Sequence, residues 1–175
     1  MTTKVFLALL ALLLGAAALA TTYKVLTLDQ LLAATEIGFY GEVAQVEVED
    51  REGQPWTVVT FALLNEFVGT DDAENDQLTL EFVGGTLPSG ETLTVDLMPQ
   101  FTRGERVLVL AYERDLYSPI VGFRQGLWRE GSLGLSDETG RRLSVDEDGE
   151  LLLDGEGGAT DVLVAAVQQA LEDRE

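Results

Sequence analysis

The sequence predicts an all-β domain, a small OB-like barrel or β-sandwich, with a short N-terminal helix and an amphipathic C-terminal helix. Three observations predict it. Residues 37–49, 56–68 and 77–83 alternate apolar and polar side chains, the period of a strand with one buried face. Turn-forming clusters separate or follow them, at Asp50–Pro55, Gly69–Asp76 and Pro88–Gly90. Past residue 20, helical spacing of apolar residues occurs only near the two ends, from Leu28 and from Val162.

The first twenty residues stand apart from that domain. Lys4 precedes the uncharged apolar run Val5–Leu14, and Ala18-Leu19-Ala20 supplies small residues where a signal peptidase cuts. That order predicts a signal peptide over 1–20, cleavage after Ala20, and an exported protein, whether periplasmic, cell-surface or secreted. The apolar run is too short for a spanning helix, so no transmembrane segment is expected after its removal. The remainder is expected to form one β-domain with a terminal hairpin over 21–155 and a helix over 156–175.

In chain order, Thr27 with Gln30 fits a capping box and predicts about two helical turns from Leu28. Strand one follows over 37–49, with Gly38 and Gly41 marking a bulge or tight coil. Strand two covers 56–68 and strand three 77–83. Gly84-Gly85 ends the third, a hairpin turns at Pro88-Ser89-Gly90, and Pro99 excludes a central strand at 98–101 because it has no amide to donate. Arg106–Glu113 is apolar on both parities, which predicts burial on both faces. Residues 118–130 are irregular, broken by Gly122 and Gly126. Arg141–Val145 and Glu150–Leu153 form a terminal hairpin. Thr160 is expected to cap a last helix with Val162, Leu163, Ala166, Val167, Ala170 and Leu171 as its apolar stripe.

Composition excludes several chemistries. The chain has no histidine and no cysteine. Ser-His-Asp and Cys-His nucleophiles, histidine-based zinc hydrolysis and disulfides are therefore impossible. Lys24 is the one lysine beyond residue 20, which disfavours a Ser-Lys dyad, and no phosphate-binding loop precedes a helix. The net charge is −20, from 31 acids against 11 bases, and loss of Lys4 makes it more negative. Such a chain is repelled by nucleic acid and by anionic membrane surfaces. Two carboxylates suffice for a glycosidase, but 31 acids nominate no particular pair.

Residues 101–130 break the acidic trend, with five arginines against four acids. The same segment carries Phe101, Tyr112, Tyr117, Phe123 and Trp128. Arginine among tyrosine and tryptophan is the composition of binding hot spots. Tyr112, Tyr117, Phe123, Arg124, Gln125, Trp128 and Arg129 are therefore candidate ligand-binding residues, for a protein or peptide partner. The competing expectation is that these arginines pair with the chain's own acids and the aromatics fill the core. Two acidic loops are candidate calcium sites: Asp71, Asp72 and Asp76 in one, Asp146 and Asp148 in the other. No other cofactor is expected.

A run of motifs, Gly41-Glu42-Val43, Thr57–Phe61, Gly84-Gly85, Met98-Pro99, Phe101, Gly104-Glu105 and Gly122–Trp128, resembles uncharacterised exported bacterial β-domain proteins. The resemblance spans about residues 28–130 and rests on glycines and core positions. It implies an OB-like fold and export, and no activity. The sequence thus predicts an exported, non-enzymatic binding or accessory module at the bacterial envelope. The alternatives are a structural envelope protein, calcium-stabilised, and a carboxylate-dependent hydrolase.

Overall fold

In the computed structural model, which describes residues 24–174, the turn Glu52-Gly53 joins two fifteen-residue strands, β1 (Ile37–Arg51) and β2 (Gln54–Val68). Both turn residues have positive φ, 55° and 81°. That is the two-residue hairpin geometry whose twist matches the strands it joins, and Gly53 supplies it without a Cβ penalty. The turn is tighter than the Asp50–Pro55 span expected from composition.

Around this hairpin the chain adds α1 (Leu28–Ala33), β3 (Gln77–Val83), β4 (Gly85–Thr86), β5 (Thr92–Leu93) and β6 (Arg106–Ala111). It continues with β7 (Leu127–Gly131), β8 (Gly134–Ser136), β9 (Leu143–Val145), β10 (Leu151–Leu153) and α2 (Thr160–Glu172). The fold is mostly β with two short helices. Six strands form one antiparallel sheet in the order β3-β2-β1-β6-β7-β8, while β4-β5 and β9-β10 are separate hairpins. The order is linear, so the sheet does not close into the expected OB-like barrel. β3 and β8 remain as edges. The stretch expected to be a signal peptide lies outside the described residues. Among those described, no helix is long and apolar enough to cross a membrane.

Both faces of the sheet are covered, and β6 shows why its sequence has no polar parity. Val107, Val109 and Ala111 join one core with Phe39, Val43, Val59, Phe61, Leu80 and Phe82. Leu108 and Leu110 join the other, with Tyr40, Trp128, Leu135, Leu143 and the helices. On the first face, the segment after β5 brings Met98 and Phe101 down onto the sheet. The Phe101 ring meets Phe61 edge-on at 5.6 Å and Phe82 at 4.9 Å. Pro99 sits in this crossing, outside any strand, as its missing amide requires.

β1 departs from simple alternation. Its register with β2 shifts at Gly38/Phe39, at Tyr40/Gly41 and at Val43/Gln45. The first two shifts fall at the glycines expected to bulge. A Cβ on Gly41 would stand 2.8 Å from the Ala62 carbonyl oxygen. The third shift is an extra residue at Ala44. It places Val46 on the same face as Val43, which strict parity would separate.

The helices close the second face. In α1 the Thr27 hydroxyl accepts from the Gln30 amide at 3.3 Å, and the Gln30 side chain accepts from the Thr27 amide at 3.2 Å. Both halves of the expected capping box are present, and such a cap contributes about 1 kcal/mol. In α2 the expected cap moves back one residue. Ala159 is the N-cap, Thr160 is the first helical residue, and no side chain caps the helix. Leu163, Val164, Val167 and Leu171 are buried, whereas Val162 points outward. The stripe rests on β2, β8, the β9-β10 hairpin and α1.

Candidate binding groove on the β3 edge

β3 is the edge where the sheet meets an unfilled groove. In an antiparallel pair, alternate residues turn their N–H and C=O toward the partner strand and the rest turn them away. The Leu63 amide donates to the Asp76 carbonyl at 2.8 Å, and the Gly84 amide donates to the Pro55 carbonyl at 2.8 Å. Even-numbered positions of this strand therefore face β2. Odd-numbered positions face outward, and the two outermost of these are paired. Gln77 exchanges both backbone bonds with Glu74 at 3.0 Å, and the Val83 amide donates to the Tyr117 carbonyl at 2.9 Å. Between these closed ends, the outward backbone groups of Thr79 and Glu81 have no hydrogen-bond partner among the described residues.

A groove of about 670 Å3 runs along this opening. Leu78, Leu80, Ile37 and Pro119 give it an apolar side, and the 112–116 segment forms the facing wall. Two arginines flank it, each laid on an aromatic ring. Arg51 sits 5.4 Å from the Trp56 ring and Arg114 sits 5.2 Å from the Tyr112 ring. Both are also held by carboxylates. Arg51 bonds Glu81 at 2.6 Å and Glu49 at 3.0 Å, and Arg114 bonds Glu36 at 3.0 Å. The Arg51 guanidinium accordingly holds the Glu81 carboxyl below the usual carboxylate range. Hydrogen bonding from Arg114, helped by the Glu113 amide, does the same for Glu36. These pairs are exposed, so they orient side chains more than they stabilise the fold.

The sequence-predicted ligand residues do not share one place. Tyr112 lines the groove, and Tyr117 bounds it through its carbonyl while its side chain is 66% exposed. Trp128 is 0% exposed, in the second core, and its indole N–H has no acceptor among the described residues. Gln125 is buried and holds residues 24–26. Its side-chain oxygen accepts from the Leu26 amide at 2.8 Å, and its Nε2 donates to the Lys24 carbonyl at 3.0 Å. Phe123 is half-buried at a positive φ of 71°, and its carbonyl accepts the Ser118 hydroxyl at 2.6 Å.

Arg124 and Arg129 converge on one acid. Glu138 receives Arg124 at 3.0 Å and Arg129 at 3.4 Å. Arg129 also donates to the Gln100 carbonyl at 2.6 Å and lies 5.7 Å from the Phe101 ring. Arg124 and Gln125 border a second cavity of about 310 Å3, with Val25, Asp137, Thr139 and Arg141. Arg106, Arg114, Arg124 and Arg129 thus all meet acids of the chain itself.

The two acidic loops are shaped by their own turn hydrogen bonds. Among the described residues, no three acidic side chains stand together as metal ligands. In the 69–76 loop the Ala73 amide turns back to the Thr70 carbonyl, and Asn75 and Asp76 have positive φ. Asp71 and Asp72 are exposed there. In the other loop, one Asp146 oxygen accepts the Asp148 amide at 2.9 Å and the Glu150 amide at 2.8 Å. That carboxylate closes its own turn, the local bonding typical of aspartate.

Arg51, Trp56, Thr79, Glu81, Arg114 and Leu116 belong to the groove although the sequence did not nominate them. Comparison with protein-family models, with curated proteins and with solved structures found no match.

Proposed function

We propose that this chain is an exported, non-enzymatic binding module that receives an extended polypeptide segment as an added strand on β3. One observation carries the reading. Thr79 and Glu81 turn unpaired backbone groups into a walled groove whose two ends are already closed by pairing. A strand docked there gains main-chain hydrogen bonds, the mode by which sheet edges capture peptides. Edge strands left open invite unwanted association, and proteins ordinarily guard them. Here the Glu74 and Tyr117 contacts limit access to the stretch between them. Export rests on the order of residues 1–20, and absence of histidine and cysteine supports a binding rather than a nucleophilic role.

The test is proline at position 79. The Thr79 amide points away from β2, so T79P removes a free donor and leaves the β2 ladder intact. Extended peptides selected on the wild-type protein from a random library bind T79P about fivefold or more weakly, since one main-chain hydrogen bond is worth about 1 kcal/mol. Equal binding by a folded T79P protein overturns the reading.

A further inference from the structure

We infer that the segment taken by β3 is basic at alternate positions and apolar between them. This rests on the strand-addition reading above. Paired residues on adjacent strands put their side chains on the same face. Residues docked opposite Thr79 and Glu81 therefore share the polar outer face with those two side chains. The residue opposite Leu80 falls on the inner face, toward Ile37, Leu78 and Pro119.

Charge fixes the polar positions. The groove is lined by two arginines and four acids, Asp72, Glu81, Glu113 and Asp115. Both arginines are already committed, Arg51 to Glu49 and Glu81, Arg114 to Glu36. Asp72, Glu113 and Asp115 are exposed and have no ion pair among the described residues. Three uncommitted carboxylates around a strand slot favour lysine or arginine on the incoming chain and repel acids. The same argument opposes a second copy of this chain as the occupant, because each copy carries a net charge of −20.

The experiment uses the protein lacking residues 1–20 and three synthetic peptides, titrated calorimetrically at low and moderate salt. One alternates lysine and valine, one alternates glutamate and valine, and one carries the same lysines and valines in two blocks. The alternating lysine peptide binds at least about tenfold more tightly than the other two, and its affinity falls as salt rises. The triple variant D72K/E113K/D115K alters exposed side chains only, and it shifts the preference toward the glutamate peptide. Equal binding of both alternating peptides overturns the charge inference and leaves strand addition standing. Equal binding of the alternating and blocked lysine peptides overturns the alternation. Binding of none of the three, while library-selected peptides bind the wild type and not T79P, also overturns the basic-apolar assignment. A dimer in sedimentation that T79P abolishes identifies a second copy as the occupant and overturns the inference.

Discussion

The amide of Val83 donates to the carbonyl of Tyr117 at 2.9 Å. This bond joins the end of the third strand to the irregular segment that follows β6. It also follows the parity that the β2 ladder sets on the β3 edge, since a residue whose amide leaves the sheet at position 83 has neighbours at 81 and 79 that do the same. The bond closes one end of the groove, as the Gln77–Glu74 exchange closes the other. V83P removes it. The expected result is faster amide exchange and proteolysis in the 113–118 segment, with the β1-β2 hairpin unchanged.

Asp137 gives the acid-side prediction. Burial pushes its carboxyl up, but the Thr139 hydroxyl, the Arg141 guanidinium and the Arg141 amide outweigh burial and hold it below the usual range. A depressed carboxyl adds stability that is fully present above its unfolded value, about 3.9, and is lost as pH falls through the lower folded value. D137N should cost about 2 kcal/mol in denaturant unfolding at pH 7. The gap between variant and wild type should narrow as pH drops below about 3.9.

Tyr40 gives the alkaline counterpart. Burial, with the Glu130 carboxylate accepting its hydroxyl at 3.0 Å, pushes its pKa up to about 12. An unfolded tyrosine ionises near 10, so this contribution is intact below about pH 10 and is lost as pH rises toward the folded value. Y40F should remove the late component from an ultraviolet phenolate titration. It should also flatten the fall in stability across that window.

Gly85 tests the glycine pair. Its φ is 129°, and a Cβ there would meet the Thr57 hydroxyl oxygen at 2.8 Å and both Val48 methyls at 3.0 Å. G85A should lower stability by about 1–3 kcal/mol through strain and crowding. A melting temperature equal to that of the wild type would contradict this packing.

The calcium expectation has its own test at Asp146. Its carboxylate already accepts two turn amides, so D146A should cost about 1 kcal/mol to a similar extent in calcium and in chelator. A loss seen only in calcium would assign Asp146 to a metal site instead.

Much of the fold was readable in the sequence because it follows from local rules. The Thr27/Gln30 cap, the 77–83 strand, the Gly53 turn and the double burial of β6 needed only period, hydroxyls and glycines. The extra residue at Ala44 was not readable, since a bulge changes parity without changing composition. Barrel closure was not readable either, because the pairing of edges is a long-range fact. The same limit applied to the site. Tyr112 was nominated by composition, and so was Trp128, but only the fold puts one on a groove and the other in a core. Nothing in Thr79 or Glu81 marks them as edge positions. Their alternation is identical to that of a strand paired on both sides.

Amide hydrogen exchange at Thr79 and Glu81 tests the central claim most directly. In the free protein both amides should exchange rapidly while those of Leu80 and Phe82, directed at β2, stay protected. On adding the alternating lysine-valine peptide, or a library-selected one, Thr79 and Glu81 should become protected. Protection of Thr79 and Glu81 in the free protein, or rapid exchange that saturating peptide does not slow, would contradict the account.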